Sequence, residues 1–169
     1  MRGQTRDAEF AEYVAARRAQ LRRTAYLIGG DSHRAEDLVQ TALVKLYVAW
    51  PRVHRGGNVD AFTRRIIVNA HIDETRRPWR RELLGFVDVD PPAPEPAETE
   101  DRDLIVEALL GLPPGQRSVV VLRHYWGLTV EETATDLGIS TGTVKSQTSA
   151  ALRHLEQILS PHYDRGSRT

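Results

Sequence analysis

The chain has no cysteine among its 169 residues, which excludes disulfide bonds and thiolate metal sites. It also has no apolar run of membrane-spanning length, and its first ten residues lack the apolar centre of a signal peptide. Lysine is scarce: Lys45 and Lys145 are the only two, and arginine supplies the other basic side chains. We therefore expect a soluble, cytoplasmic protein with no membrane partner, whose arginines suit phosphate binding.

The formal net charge of zero hides a strong segregation of charge along the chain. Residues 1–87 carry sixteen Arg and Lys against ten Asp and Glu, whereas residues 88–103 carry seven acidic residues against one Arg. Residues 104–169 are balanced. The acidic segment is rich in proline and has no apolar periodicity, which predicts an extended linker. Because the first segment is basic, the neutral total does not argue against nucleic acid binding.

Apolar residues at helical spacing predict three helices in the basic segment, which together form a compact bundle. The first ends at Gly29 and Gly30, and the second begins at Asp31 or Ser32. Its apolar stripe continues until proline stops it, and residues 51–59 then form a loop. Asp60 caps the third helix, which runs to about residue 77.

Residues 129–155 predict a helix-turn-helix. Thr129 and Glu132 have the S/T-x-x-E spacing of a capping box, and Gly138 suits a tight helix exit. Ser140 caps the second helix. The outer face of that helix carries short donors and one cation, namely Thr141, Thr143, Lys145, Ser146 and Ser149. Such groups suit phosphates and base edges in a major groove, and a plain helical hairpin with a solvated face is the alternative.

Three segments together resemble the extracytoplasmic-function (group 4) sigma factors of bacterial RNA polymerase. They are AEDLVQ at residues 35–40, RRIIVNAHIDETRR at residues 64–77 and LPPGQRSVVVLRHYWGLTVEETATDLGISTGTVKS at residues 112–146. The resemblance extends from residue 10 to residue 159 and points to a compact actinobacterial subgroup. It implies a sigma factor that directs promoter recognition, DNA melting and transcription initiation.

The resemblance also implies an all-α fold of two small helical domains. Residues 1–85 would form sigma region 2, a three-helix bundle that binds core polymerase and the minus-ten element. Residues 103–160 would form sigma region 4, the helix-turn-helix that binds the minus-thirty-five element. Residues 86–102 would be the flexible acidic linker, and residues 161–169 a frayed tail.

The family holds the melted non-template strand on the third helix and the loop before it. In such a site arginines neutralise phosphates, asparagine pairs with a base edge and tryptophan stacks on a base. The residues that the resemblance assigns to this strand are His54, Arg55, Asn58, Arg64, Arg65, Asn69, Arg76, Arg77, Trp79 and Arg80. Two alternatives stay open, an internal ion pair of Asp73 with Arg77 and a hinge role for Trp79 packed on the bundle.

The second helix of the family docks on the β′ clamp helices, and region 4 docks on the β flap. The residues on the matching face here are Glu36, Asp37, Gln40 and Thr41, although the sequence alone would also allow a solvated face. The predicted minus-thirty-five contacts are Ser140, Thr141, Thr143, Lys145, Ser146, Ser149 and Arg153. Gln147 and Ala150 stand where the family often has arginine, which favours shape readout over base readout. Arg117, Arg123 and His124 are further candidates for phosphate contacts.

Other functions are less well supported. The six histidines show neither metal-ligand spacing nor a paired nucleophile, and a G-x-x-x-x-G-K loop is absent, so we expect no enzyme and no cofactor. His71 and His154 are predicted to be exposed helix residues. A one-component regulator with an N-terminal sensor, or an adaptor that binds polymerase without DNA, are the remaining alternatives. An anti-sigma factor is a further partner that the resemblance allows, although no segment of the sequence specifies it.

Overall fold

The computed structural model describes the backbone of residues 2–83 and 104–166, with side chains for residues 2–71 and 104–164. Every element in these ranges is helical, which confirms the predicted all-α fold. The elements are α1 (Arg2–Gly29), α2 (Ser32–Gly56), α3 (Val59–Leu83), α4 (Leu104–Leu110), α5 (Pro114–Val120), a π-helical turn (Val121–Tyr125), α6 (Val130–Leu137) and α7 (Thr141–Gly166). None of these helices is long and apolar enough to cross a membrane. The predicted linker lies outside the described residues.

The chain divides into two compact units, Met1–Glu74 and Thr75–Thr169. In the first, α1, α2 and the start of α3 form the predicted three-helix bundle. Its largest fully buried side chains are Leu21, Ile28, Val39, Leu46, Ile67 and Val68. Gly30 adopts the left-handed φ of 75° that a glycine tolerates, and Asp31 then caps α2 by accepting from two backbone amides at 2.9 and 3.1 Å. Local sequence therefore ends α1 and begins α2 where predicted.

The sequence predicts that α2 stops at Pro51, but the helix continues to Gly56. A proline inside a helix has no N–H, so the carbonyl four residues earlier loses its usual donor. That carbonyl belongs to Tyr47, and the guanidinium Nη2 of Arg6 donates to it instead. The predicted loop is therefore reduced to residues 57 and 58, and a donor from α1 replaces the missing amide.

Asn58, and not Asp60, caps α3. The Asn58 side-chain oxygen accepts from the amide of Ala61 at 3.0 Å. Asp60 lies in the first turn instead, where a carboxylate suits the positive end of the helix dipole. α3 then continues beyond the predicted end at Arg77 and finishes at Leu83.

The second unit contains the predicted helix-turn-helix, formed by α6 and α7. Thr129 caps α6 by accepting from the Glu132 amide at 3.1 Å, and Gly138 ends it with a left-handed φ of 66°. Ser140 caps α7 by accepting from the Thr143 amide at 3.1 Å. The core of the unit is formed by Val106, Val119, Val121, Leu122, Val144 and Ala151.

Two features of this unit differ from the sequence prediction. The apolar stretch at residues 119–125 is divided between α5 and the π-helical turn, which ends with the Trp126 amide bonded to the Val121 carbonyl at 3.2 Å. α7 continues through Pro161 to Gly166, where the sequence predicts a frayed tail. Gln157, whose carbonyl has no amide partner at position 161, is exposed, so water can satisfy that carbonyl.

Candidate nucleic-acid interface

The end of α2 forms a small polar platform beside residues 57 and 58. The His54 ring stacks on Trp50 with centroids 4.7 Å apart and an angle of 16° between the planes. The His54 Nε2 lies 3.4 Å from a carboxylate oxygen of Glu9, and Arg55 is exposed. The Asn58 oxygen already accepts one hydrogen bond as a helix cap, whereas its amide nitrogen can donate to a base.

A groove of 740 Å³ borders this platform. Its walls come from the start of α1 and the end of α2, and its lining residues are Arg2, Thr5, Arg6, Glu9, Trp50, Pro51, His54 and Arg55. Three arginines against one glutamate give the groove a positive field.

The predicted strand-binding residues of α3 differ in burial. Arg64 is only 4% exposed and lies inside the bundle, so the prediction that its side chain faces the strand is wrong. Arg65 and Asn69 are exposed and lie one turn apart. Arg64 shares helical spacing with buried Ala61 and Val68, and this periodicity could have identified it as an inward position from the sequence.

The remaining predicted strand contacts are Arg76, Arg77, Trp79 and Arg80. Their side chains lie outside the described residues, as does that of Asp73. The backbone of all five is helical within α3. Both alternatives for this segment, the ion pair and the packed tryptophan, therefore stay predictions.

The predicted polymerase-binding face of α2 is largely exposed. Its side chains at Asp37, Gln40 and Thr41 are open to solvent. Glu36 differs because it forms ion pairs with Arg18 and, at 3.3 Å, with Arg22 on α1. The hydrogen bond from Arg18 lowers the pKa of the Glu36 carboxyl. The Glu36 carboxylate is therefore engaged in ion pairs that join α1 to α2.

Two valines that the sequence analysis missed continue this face. Val44 and Val48 are 65% and 74% exposed and follow Asp37 and Thr41 at helical spacing. Exposed apolar side chains that lie next to each other and are surrounded by polar groups are typical of a protein interaction surface. Helical spacing separates these valines from the core positions Val39, Leu46 and Val53, so periodicity could have identified them as surface residues from the sequence.

The outer face of α7 presents the predicted donors. Thr141, Thr143, Lys145, Ser146, Ser149 and Arg153 are all exposed, as is the cap Ser140. The Ser140 hydroxyl lies 2.9 Å from the Thr143 hydroxyl, and the Ser146 hydroxyl donates to the Thr143 carbonyl at 3.1 Å. Lys145, Ser149 and Arg153 are therefore the side chains best placed to extend away from the helix. Val119, Ala134 and Val144 hold the two helices together behind this face.

Arg117 is not exposed as a phosphate contact would require, whereas Arg123 is half-buried. The Arg117 side chain is buried and donates to the carbonyls of Leu109 at 2.8 Å and Leu112 at 3.0 Å. Burial lowers the pKa of this guanidinium. Arg123 donates to the carbonyl of Leu128. Both arginines satisfy backbone carbonyls in or between short helices, a role that the sequence does not distinguish from phosphate binding.

The histidines behave differently from one another. His71 is only 9% exposed, which contradicts the prediction that it is a surface residue. His154 is exposed as predicted, and its Nδ1 lies 2.7 Å from the side-chain oxygen of Gln116. Among the described side chains, no group of three or more His, Asp or Glu could hold a metal ion.

Two family models match the chain. The model of Sigma-70 region 2 matches residues 13–81, and the model of Sigma-70, region 4 matches residues 102–155. The region 2 match contains the polar platform and the exposed face of α2. The region 4 match contains the helix-turn-helix and α7 up to residue 155.

Individual relatives match over most of their length. The RNA polymerase sigma-E factor of Streptomyces coelicolor is 40% identical over 156 residues, which cover 89% of this chain and 86% of that protein. The ECF RNA polymerase sigma factor SigM of Mycobacterium tuberculosis is 33% identical over 140 residues, covering 83% and 71%. Among solved structures, the sigma factor RpoE of Bartonella quintana, in complex with the anti-sigma factor NepR, has a TM-score of 0.71 at 28% identity, covering 90% and 97%.

Proposed function

Because this chain belongs to the extracytoplasmic-function group of the sigma-70 family, we propose a specific set of its residues for each contact that such a sigma factor makes. The chain is an RNA polymerase sigma factor that directs promoter recognition and transcription initiation. It binds core RNA polymerase and promoter DNA, as sigma factors do, and sigma factors are regulatory subunits and not catalysts.

For the melted non-template strand of the minus-ten element, we assign the exposed residues around the end of α2 and the start of α3. His54, Arg55 and the amide nitrogen of Asn58 would contact a base that leaves the stack. Arg65 and Asn69 would follow the strand backbone along α3. The arginines at positions 76, 77 and 80 and the tryptophan at position 79 would extend this contact.

For core polymerase, we assign the exposed face of α2 to the β′ clamp helices. Asp37, Gln40 and Thr41 supply polar groups, and Val44 and Val48 supply apolar area beside them. Asp37 is the acidic group of this stripe and would pair with a basic residue of a helical partner. The region 4 domain would contact the β flap.

For the minus-thirty-five element, we assign α7 as the recognition helix. The observation that carries this assignment is that its donor face is exposed while Val144 and Ala151 on the opposite face are fully buried. Lys145 and Arg153 would contact phosphates, Ser149 a base edge, and Ser140 with Thr141 a phosphate at the helix N-terminus. The predicted boundaries at residues 1–85, 86–102 and 103–160 are part of this proposal.

We infer that the protein acts in the cytoplasm, where polymerase and chromosome meet, and that it contributes no catalytic group. An anti-sigma factor is a further proposed partner, because the similar sigma factor RpoE is held by one in its solved structure. The exposed valines of α2 would provide apolar area for such a protein to bury.

The assignment is tested with the full chain, bacterial core polymerase and a promoter located by mapping transcript 5′ ends after forced expression. Arg65→Ala and Asn69→Ala are expected to reduce open-complex formation and to leave core binding unchanged. Asp37→Arg is expected to weaken core binding, most strongly at low salt. Glu12→Arg, a charge reversal at an exposed position of α1 outside both surfaces, is the matched control. Equal losses in the variants and this control would contradict the assignment.

A further inference from the structure

The first three turns of α1, residues 2–12, precede the range that matches the region 2 model, which begins at residue 13. They nevertheless pack along the second half of α2, which lies inside that range. Their partners on α2 are Tyr47, Trp50 and His54. These contacts join a segment outside the matched range to the end of the helix that leads into the proposed strand-binding turn.

Arg6 carries the central contact of this segment. Its guanidinium donates to the Tyr47 carbonyl and lies 4.4 Å from the centre of the Tyr47 ring. The amide that would ordinarily bond to this carbonyl is absent because residue 51 is proline. Arg6 therefore supplies from another helix a hydrogen bond to the carbonyl that Pro51 leaves without an amide, and α2 continues to Gly56.

Aromatic and polar contacts on both sides fix the same segment. Phe10 meets the rings of Tyr47 and Trp50 edge-on, with centroids 5.1 and 5.4 Å away. The Tyr47 hydroxyl donates to Asp7 at 2.8 Å. Phe10 packs with a buried cluster formed by Leu46, Trp50 and Val53. The contacts of Asp7 and Phe10 thus hold the α1 segment that carries Arg6 in place against α2.

We propose that residues 2–12 position the last turn of α2, and through it residues 57 and 58, for the melted strand, with Arg6 as the positioning residue. This inference rests on the proposed function of that turn. Arg6 acts through the backbone of α2 and does not itself contact DNA. Loss of its bond lets the helix open at Pro51 and displaces His54, Arg55 and Asn58 together.

The test is a double-mutant cycle between Arg6 and Pro51 in the reconstituted holoenzyme. Arg6→Ala removes the donor, and Pro51→Ala returns an amide to position 51 that can bond the Tyr47 carbonyl within the helix. Permanganate reactivity of promoter thymines measures opening, and affinity for core polymerase is measured alongside it. Arg23→Ala is the matched control, because Arg23 also lies over a tyrosine ring on α1, 5.9 Å from that of Tyr26.

We expect Arg6→Ala to reduce promoter opening about tenfold, the loss of one charge-assisted hydrogen bond, with core affinity unchanged. Pro51→Ala and Arg23→Ala are expected to stay within about twofold of the wild type, and the Arg6→Ala/Pro51→Ala chain to recover to that level. Arg6→Lys, which keeps a donor, is expected to recover part of the opening.

An Arg6→Ala chain that opens the promoter normally would overturn the proposal. So would a defect that Pro51→Ala does not repair, because that result means Arg6 acts by touching the strand itself. If Arg6→Ala fails to fold, the double variant decides: folded and active supports the proposal, and inactive or unfolded overturns it. A wild-type holoenzyme that opens no promoter would instead contradict the proposed function.

Discussion

The hydroxyl of Tyr13 donates to the carboxylate of Asp60 at 2.9 Å, and the second oxygen of that carboxylate lies 3.2 Å from Arg17. The Tyr13 oxygen also lies 3.3 Å from the Thr63 hydroxyl. These contacts tie α1 to the first turn of α3, next to the residues proposed to read the melted strand. Burial raises the pKa of the Tyr13 phenol above its ordinary value of 10.0.

This raised pKa predicts the pH dependence of stability. Above about pH 10 the unfolded chain releases the Tyr13 proton while the folded chain keeps it, so the free energy of unfolding falls as pH rises, by up to about 1.4 kcal/mol per pH unit. Below that pH the contribution is fully present. Urea unfolding of the wild type and Tyr13→Phe should give a stability difference that is constant up to about pH 9 and shrinks above about pH 10. A constant difference would contradict the contact.

Asn58 is predicted to have two separable roles. Asn58→Ala should lower the free energy of unfolding by about 1 kcal/mol, because the cap of α3 is lost. Asn58→Asp keeps the capping oxygen but removes the amide donors, so it should keep stability and lose promoter opening. Denaturant unfolding and permanganate footprinting measure the two effects, and Asp31→Asn at the α2 cap is the matched control. If the Asn58→Asp variant opens the promoter as well as the wild type, Asn58 does not contact the melted strand through its amide.

Arg117 is predicted to stabilise the second unit and not to bind DNA. Arg117→Met should lower the free energy of unfolding by about 3 kcal/mol, because buried carbonyls lose their donor. Arg153→Met, an exposed arginine of the same unit, should change it by less than about 0.5 kcal/mol. Thermal or urea unfolding of the full chain provides both values. The reverse order of effects would contradict the buried assignment.

Lys145 is predicted to contact a phosphate of the minus-thirty-five element. Lys145→Ala should weaken holoenzyme binding to duplex DNA that spans this element and lower the slope of log affinity against log salt by about one. The only other lysine of the chain, Lys45 on α2, gives the matched variant Lys45→Ala. A salt titration of binding compares the two. An unchanged slope for Lys145→Ala would exclude the phosphate contact.

Helix ends with a local signal could be predicted from the sequence. Asp31, Thr129 and Ser140 each bond backbone amides two or three residues ahead, so their capping depends on neighbours along the chain alone. Gly138 needs only its own permissive backbone. The helix-turn-helix, which is made of such signals and a buried stripe, was predictable for the same reason.

Features that depend on distant partners could not be predicted in this way. The Tyr47 carbonyl, which loses its helical donor at Pro51, is bonded by Arg6, 41 residues away in sequence. The burial of Arg117 depends on how α4 and α5 pack against each other. The sequence alone does not distinguish an arginine that bonds backbone carbonyls from one that binds a phosphate. Arg64 is an intermediate case, since the periodicity of α3 marks it as inward while its charge suggests a surface role.

The central claim is that this chain directs core RNA polymerase to initiate transcription at a promoter that core polymerase alone does not use. The most direct measurement is transcription in vitro by bacterial core polymerase with and without the purified chain, on promoter fragments mapped by transcript 5′ ends. We predict initiation at one defined position that requires the chain and is lost when either the minus-ten or the minus-thirty-five element is scrambled. Binding of the chain to duplex DNA without any initiation by the polymerase would contradict the account.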